Sequence, residues 1–487
     1  MNLRFLIGPT MIGACVFGGS CLGGQDGVEA KGKQFRAGAA MSNLTPAIGG
    51  LIIGGFHPLP STHIHDELHA RCLVLDNGET RMALVVCDLL GLAQEVCDAA
   101  RSLIHAENTI PEEHILICAT HTHSATSALG TNRFAYGQPL DAYQKFVVRR
   151  IADGVRRAVD NLEPATIGWA AGHEPRQVFN RRWFMRPGSI PPNPFGGTND
   201  LVRMNPPRQS KDLIKPAGPT DPEICLIAVR TPAGRPIALL ANYALHYVGG
   251  VPDGHISADY FAVFCDRMQQ LLGADRQDPP FVAMLSNGTS GDINNINFRK
   301  RAEKKRPYQK MREVADEVAQ AALKAYKTIT FRDWVPLDGQ MPLVELGVRH
   351  PTPEQLERAK RIVERAGNPP ALKSLEQIYA ERTLRMNEYP PTLTVPVQAL
   401  RIGDVGIAGI PNEVFCETGL GMKRRSPFKP SFTMEIANGY WGYLPTPEQH
   451  KLGGYETWLG TNRLEPDAST KYVEAILQIW KELASEP

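Results

Sequence analysis

Short apolar runs rich in Val, Ile and Leu recur along this chain at 71–75, 83–87, 114–118, 224–229, 237–242, 281–285, 393–400, 405–410 and 432–436. Each has the length and composition of a β-strand. Between them the apolar positions change to helical spacing. Phe146, Val147, Ile151, Val155 and Val159 predict a helix over 143–159, and Met311, Val314, Val318 and Leu323 predict another over 311–323. Thr352-Pro353-Glu354-Gln355 carries the capping-box signature that opens a third. Strands alternating with helices predict the α/β class, as a mixed β-sheet sandwich with flanking helices. The segment 186–222 breaks the pattern. Pro187, Pro191, Pro192, Pro194, Pro206, Pro207, Pro216, Pro219 and Pro222 leave no room for regular structure, which predicts a lid, a binding loop or a disordered insert.

Length and charge narrow the picture. A chain of 487 residues can form one large domain or two. With 53 Lys+Arg against 51 Asp+Glu the net charge is +2, so no overall basic field exists to hold nucleic acid or an anionic membrane. A small molecule or lipid of little charge fits that balance as the partner. Residues 1–24 combine one basic residue, a short apolar run and a small-residue exit, which predicts a signal peptide rather than a transmembrane span. Ile12-Gly13-Ala14-Cys15 also matches a lipidation box, so the exported protein is expected in the periplasm, outside the cell, or as an outer-surface lipoprotein anchored at Cys15. Cys72, Cys87, Cys97, Cys118, Cys225, Cys265 and Cys416 remain beyond the leader. Their odd count and the lack of any Cys-x-x-Cys argue for buried small hydrophobes, against a disulfide framework or a thiolate zinc site.

The candidate chemistry sits where the apolar runs stop. His121 and His123 of Ala119-Thr120-His121-Thr122-His123-Ser124 follow the run 114–118, at a strand end where functional groups are displayed. Imidazole is a zinc ligand, and a His-x-His pair reads equally as metal or catalytic machinery or as structure. His246 follows 237–242 and, alone, reads as structural; Glu413 follows 405–410 as either a helix-cap neighbour or a site residue. His63-Ile64-His65-Asp66-Glu67-Leu68-His69 lacks the Glu placement of the helical zinc-protease motif and reads as supporting structure, with His65 nearest the site. Ser286-Asn287-Gly288-Thr289-Ser290-Gly291-Asp292 is either a tight turn or an oxyanion-binding loop. Tyr440, Trp441 and Trp458 form an aromatic group for a pocket mouth or for the core.

Taken in order, these pieces resemble the neutral ceramidase family across most of the chain. The matching segments are Ala119 to Ser124, Asn242-Tyr243-Ala244-Leu245-His246, Ser257-Ala258-Asp259, Gly291-Asp292, Ile410-Pro411-Asn412-Glu413, and Gly442-Tyr443-Leu444-Pro445-Thr446-Pro447-Glu448, followed by Gly454-Tyr455-Glu456. The resemblance implies a catalytic domain over 35–487 without the family's C-terminal immunoglobulin-like domain. It implies that His121, His246, Glu413 and Tyr443 bind one Zn²⁺, that His123, Arg181 and Tyr455 face the scissile group, and that Asp88 supports a ligand. A zinc-activated water would then cleave the amide of an N-acyl compound, a ceramide-like sphingolipid in the family. The chain departs from the family's Gly-Asp-x-Ser-Pro-Asn, reading Gly291-Asp292-Ile293-Asn294-Asn295-Ile296. Asn294 cannot be a nucleophile, so ceramide does not follow as the substrate. The same zinc site acting on an ester or sugar-linked compound, or a catalytically silent exported binding protein, are the alternatives.

Overall fold

Side chains alternate across each strand, so a strand buried on both faces must be apolar throughout. Three sheets of this kind meet here. The computed structural model describes residues 33–485 apart from Thr131, Arg133, Ala135 and 368–371; the signal-peptide segment and Cys15 lie outside these. The first sheet runs, in spatial order, Ile115–Ala119, Arg81–Cys87, His69–Asp76, Arg36–Asn43 and Glu163–Pro164. The second runs Val282–Asn287, Pro236–Tyr243, Glu223–Arg230 and Thr166–His173; the third runs Leu337–Gln340, Gln398–Ile402, Val405–Ile410 and Ser431–Glu435.

One face of each sheet points into a shared centre. Leu73, Leu84 and Leu116 of the first sheet, Ile227, Leu240 and Met284 of the second, and Leu400, Ile407 and Phe432 of the third form one apolar cluster. The opposite faces are covered by helices. Val74 and Val85 pack beneath Gln94–Asn108 and Ala142–Asp160 through Ile104, Ile151 and Val155. Leu226 and Leu239 lie under Asp259–Leu271 and Gln309–Tyr326, and Ala408 and Ile410 lie under Ala468–Ser485 through Tyr472, Ile476 and Trp480. The mixed α/β sandwich with flanking helices is therefore the fold observed. The helix from Ala142 begins with a capping box between Asp141 and Gln144, and that from Pro353 with one between Thr352 and Gln355.

Two expectations need correction. The run 393–400 is not one strand: Pro396 supplies no N–H, and the chain passes from Thr392–Pro396, paired with Leu343–Gly347, to Gln398–Ile402 in the third sheet. The proline-rich segment is not wholly irregular, because Val202–Met204 and Leu213–Pro216 flank Arg182–Met185 as a small sheet. Its prolines lie outside these strands or at the end of one. The seven described cysteines are all buried and unpaired, as expected.

Gly38 shows how closely helix and sheet approach. A Cβ added there would fall 2.1 Å from the Ala158 carbonyl oxygen at the end of the helix Ala142–Asp160. Gly38→Ala should lower unfolding free energy by about 3 kcal/mol, the upper end of overpacking costs, in urea denaturation.

Candidate metal centre

In each sheet one strand runs parallel to a neighbour, and the paired ends of these strands face one site. Ile115–Ala119 is parallel to Arg81–Cys87, Pro236–Tyr243 to Val282–Asn287, and Val405–Ile410 to Ser431–Glu435. The segments leaving the first member of each pair carry His121, His246 and Glu413. The segments leaving the second carry or form their supports. Ligands collect at such carboxyl ends because the chain must turn there and expose its polar groups.

His121 takes φ +66°, a left-handed conformation uncommon for a residue with a side chain, and its N–H donates to the Leu89 carbonyl. Its ring donates from Nδ1 to the Leu90 carbonyl at 2.6 Å, which leaves the Nε2 lone pair facing inward. His246 is held the same way. Its Nδ1 lies 3.2 Å from the Ser290 carbonyl and 3.3 Å from Ser290 Oγ, and that hydroxyl donates to Glu435 at 2.6 Å. Glu413 accepts from the Tyr440 hydroxyl on Oε1 at 2.6 Å. Its Oε2 is 3.4 Å from His121 Nε2 and 3.7 Å from His246 Nε2. All three residues are buried, and neither His246 Nε2 nor Glu413 Oε2 has a hydrogen-bond partner among the described residues. Two imidazole nitrogens and a carboxylate oxygen converge here, and with no donor on His246 Nε2 or Glu413 Oε2 they form a set that a divalent cation satisfies.

The electrostatics agree. Burial holds the His246 ring far below the usual imidazole range, helped by His121, Arg181 and His123, so it stays neutral. For Glu413 burial works upward, but the adjoining His121 ring, the Arg181 guanidinium and the hydrogen bond from Tyr440 outweigh it and hold the carboxyl below its usual range.

The remaining sequence candidates surround this centre. His123 Nε2 sits 3.2 Å from His121 Nε2, with its ring stacked on Tyr247 at 3.8 Å. The ligand atoms of His121, His123 and His246 all lie within 4.8 Å of one another. Tyr443 pairs with Glu413 in the short parallel ladder Glu413–Val414 with Tyr443–Leu444, and the Arg181 guanidinium lies 5.2 Å over its ring. Tyr455 is 5.7 Å from Tyr443, ring to ring. His121, His123, Glu413, Tyr443 and Tyr455 line one cavity of about 40 Å³, and Tyr455 also borders a larger pocket of about 480 Å³ formed partly by the proline-rich segment. Glycines let the backbones meet: added Cβ atoms at Gly54 and Gly291 would fall 2.4 Å from the His123 carbonyl and 2.5 Å from that of Glu413.

The other sequence candidates fall as follows. His65 hydrogen-bonds Asp66 and stacks on Tyr308, outside this histidine cluster. Asp88 accepts from the His69 N–H and from Arg71, so the support of His121 is the Leu90 carbonyl. In the turn 286–292 the Gly288 N–H donates to Tyr243, that of Ser290 to Glu435 and that of Gly291 to Val414. Trp441 belongs to the core, while Trp458 borders the larger pocket. Asn294 uses its amide on Asn205 and Ile296. Tyr247, Glu435 and the carbonyls of Leu90 and Ser290 escaped sequence reasoning, because backbone acceptors carry no residue signal.

Comparison with solved structures bears on the fold. The chain aligns over 93% of its length with a neutral ceramidase from Pseudomonas aeruginosa, at TM-score 0.67 and 16% identity, covering 74% of that protein. It carries the neutral ceramidase fold. A ceramidase complexed with C2 aligns with TM-score 0.68 and 17% identity, over 93% of this chain and 75% of the other. No protein-family model and no curated protein sequence matches the chain.

Within this fold Arg181 is fixed from behind. Arg181 Nε donates to Glu456 at 3.0 Å and Arg182 Nη1 to its other oxygen at 2.7 Å, all three fully or almost fully buried. Because Glu456 follows Tyr455, the ion pair ties Arg181 to the segment that carries Tyr455. Glu456→Ala would leave two buried guanidinium groups without their carboxylate and should cost about 3–5 kcal/mol, read as a fall in the urea midpoint.

Proposed function

We propose that this chain is an exported zinc-dependent amidase that hydrolyses an N-acyl compound, with Zn²⁺ held by His121, His246, Glu413 and Tyr443. The observation that carries the reading is the convergence of His121 Nε2, His246 Nε2 and Glu413 Oε2, the last two without a hydrogen-bond partner among the described residues. The neutral ceramidase fold supports amide hydrolysis as the reaction. Bound zinc supplies Lewis acidity and brings the pKa of water down to about 7. His123, beside the ligands and stacked on Tyr247, is placed to take up and return the proton. Arg181 Nη2, without a hydrogen-bond partner among the described residues, is available to the carbonyl oxygen as negative charge develops there. Tyr455, at the junction of the cavity and the larger pocket, is placed to donate to the departing amine. Asn294, spent on structural hydrogen bonds, takes no part. No helix among the described residues is long and apolar enough to cross a membrane, and residues 1–24 are the export signal in this reading.

The grouping of three imidazole nitrogens within 4.8 Å favours a second reading, in which His123 is itself a ligand. The two separate cleanly. A chelator should abolish hydrolysis of a fluorescent N-acyl substrate and added Zn²⁺ restore it, and His121→Ala should lose the metal. His123→Ala should keep near-stoichiometric zinc by atomic absorption while turnover falls roughly 10²–10⁴-fold, the range of a lost general acid-base group. Loss of zinc in His123→Ala would instead make His123 a ligand, and activity untouched by metal removal would refute the amidase mechanism.

A further inference from the structure

The cavity that the ligands line also holds a buried positive charge that this mechanism does not use. Arg382 lies on the helix Leu375–Asn387, is only 3% exposed, and lines the same cavity as His121, Glu413 and Tyr455. Its stem packs on Gly460, where an added Cβ would lie 3.0 Å from the arginine Cβ. Its guanidinium is surrounded by ring faces: Phe134 at 4.5 Å, Tyr379 at 4.7 Å and Phe56 at 5.4 Å. Those rings hold the cation in place but cannot neutralise it. Arg382 has no carboxylate within ion-pair reach among the described residues, and its Nε has no hydrogen-bond partner. By contrast Arg181 and Arg182 share Glu456.

A buried guanidinium without a counter-charge is costly to keep unless something supplies the anion. Arg463, 3% exposed, adds a second guanidinium to the same wall, over Phe134 at 4.9 Å and Tyr440 at 5.6 Å. Tyr440 in turn holds Glu413. The two guanidinium groups thus share with the atoms that would hold the metal a cavity with room for about three waters.

The geometry points to a substrate that carries a carboxylate close to its scissile carbonyl, as an N-acylated amino acid does. Arg382 is the specificity-determining residue that receives this group, resting on the amidase reading above. The guanidinium fork matches a carboxylate's two oxygens, a match that neither a hydroxyl nor an acyl chain offers. Water adds to the acyl carbon, the C–N bond breaks, and the nitrogen leaves with a proton, giving a carboxylic acid and a free amino acid whose carboxylate stays on Arg382. The near-zero net charge of the whole chain hides this local field, because most other charges lie on the surface.

Calorimetry with N-hexanoylglycine and its uncharged methyl ester tests the assignment on the metal-free and the zinc-loaded protein. The acid should bind at least 10-fold more tightly than the ester in both forms. Arg382→Gln should bring the ratio close to one, and Arg382→Lys, which keeps the charge, should restore part of it. Equal binding of acid and ester by the wild type, or binding of neither, overturns the proposal. So does an acid preference that survives in a folded Arg382→Gln. Turnover reports separately on the amidase reading: selective binding of the acid with no hydrolysis of either compound by the zinc-loaded protein sinks amide hydrolysis and leaves the carboxylate site standing.

Discussion

Glu413 is a carboxylate at 1% exposure, with one oxygen held by Tyr440 and the other turned toward two imidazoles. A desolvated carboxylate persists only where fixed positive charge or a cation answers it. Much of the surrounding structure serves that requirement. The Leu90 and Ser290 carbonyls set the tautomers of His121 and His246, and Glu435 braces Ser290 and the Val414 N–H beside the ligand. Burial pushes the Glu435 carboxyl well above the usual range, opposed by the hydrogen bonds it accepts from Ser290 and Val414.

The three-sheet arrangement explains how residues so far apart in sequence reach one point. Each sheet buries its inner face in the common core, and each contributes a parallel strand pair whose ends leave that core together. One member carries a ligand and the other its support, so the packing of the sheets sets the ligand spacing. Local strain is confined to the point of use. His121 adopts a left-handed backbone, and Gly442, at φ +82°, lets the chain turn tightly against Thr461 just before Tyr443.

The apolar runs revealed the strands because those strands are buried on both faces, leaving no polar residue to blur the pattern. The run 405–410 ends one residue before Pro411, and the observed strand Val405–Ile410 ends there too. The run 393–400 misled because both halves are buried in different sheets and only Pro396 marks the break. The His-x-His pair was visible, as was Glu413 beyond its strand, but neither could be joined to His246 without tertiary structure. Their convergence entered the sequence reading only through the family resemblance. Arg382 was invisible for the opposite reason: an arginine on a helix reads as solvated surface, and only the packing of Phe56, Phe134 and Tyr379 around it shows otherwise.

The central claim is that a cation completes a centre made of nitrogen and oxygen donors from three sheets. Zinc K-edge X-ray absorption on the purified full-length chain, loaded with one equivalent of Zn²⁺, reads that donor set directly. It should show a shell of nitrogen and oxygen alone at about 2.0–2.1 Å, with the outer-shell scattering of at least two imidazoles. A sulfur shell at about 2.3 Å, or zinc that remains fully hydrated in solution, would contradict it.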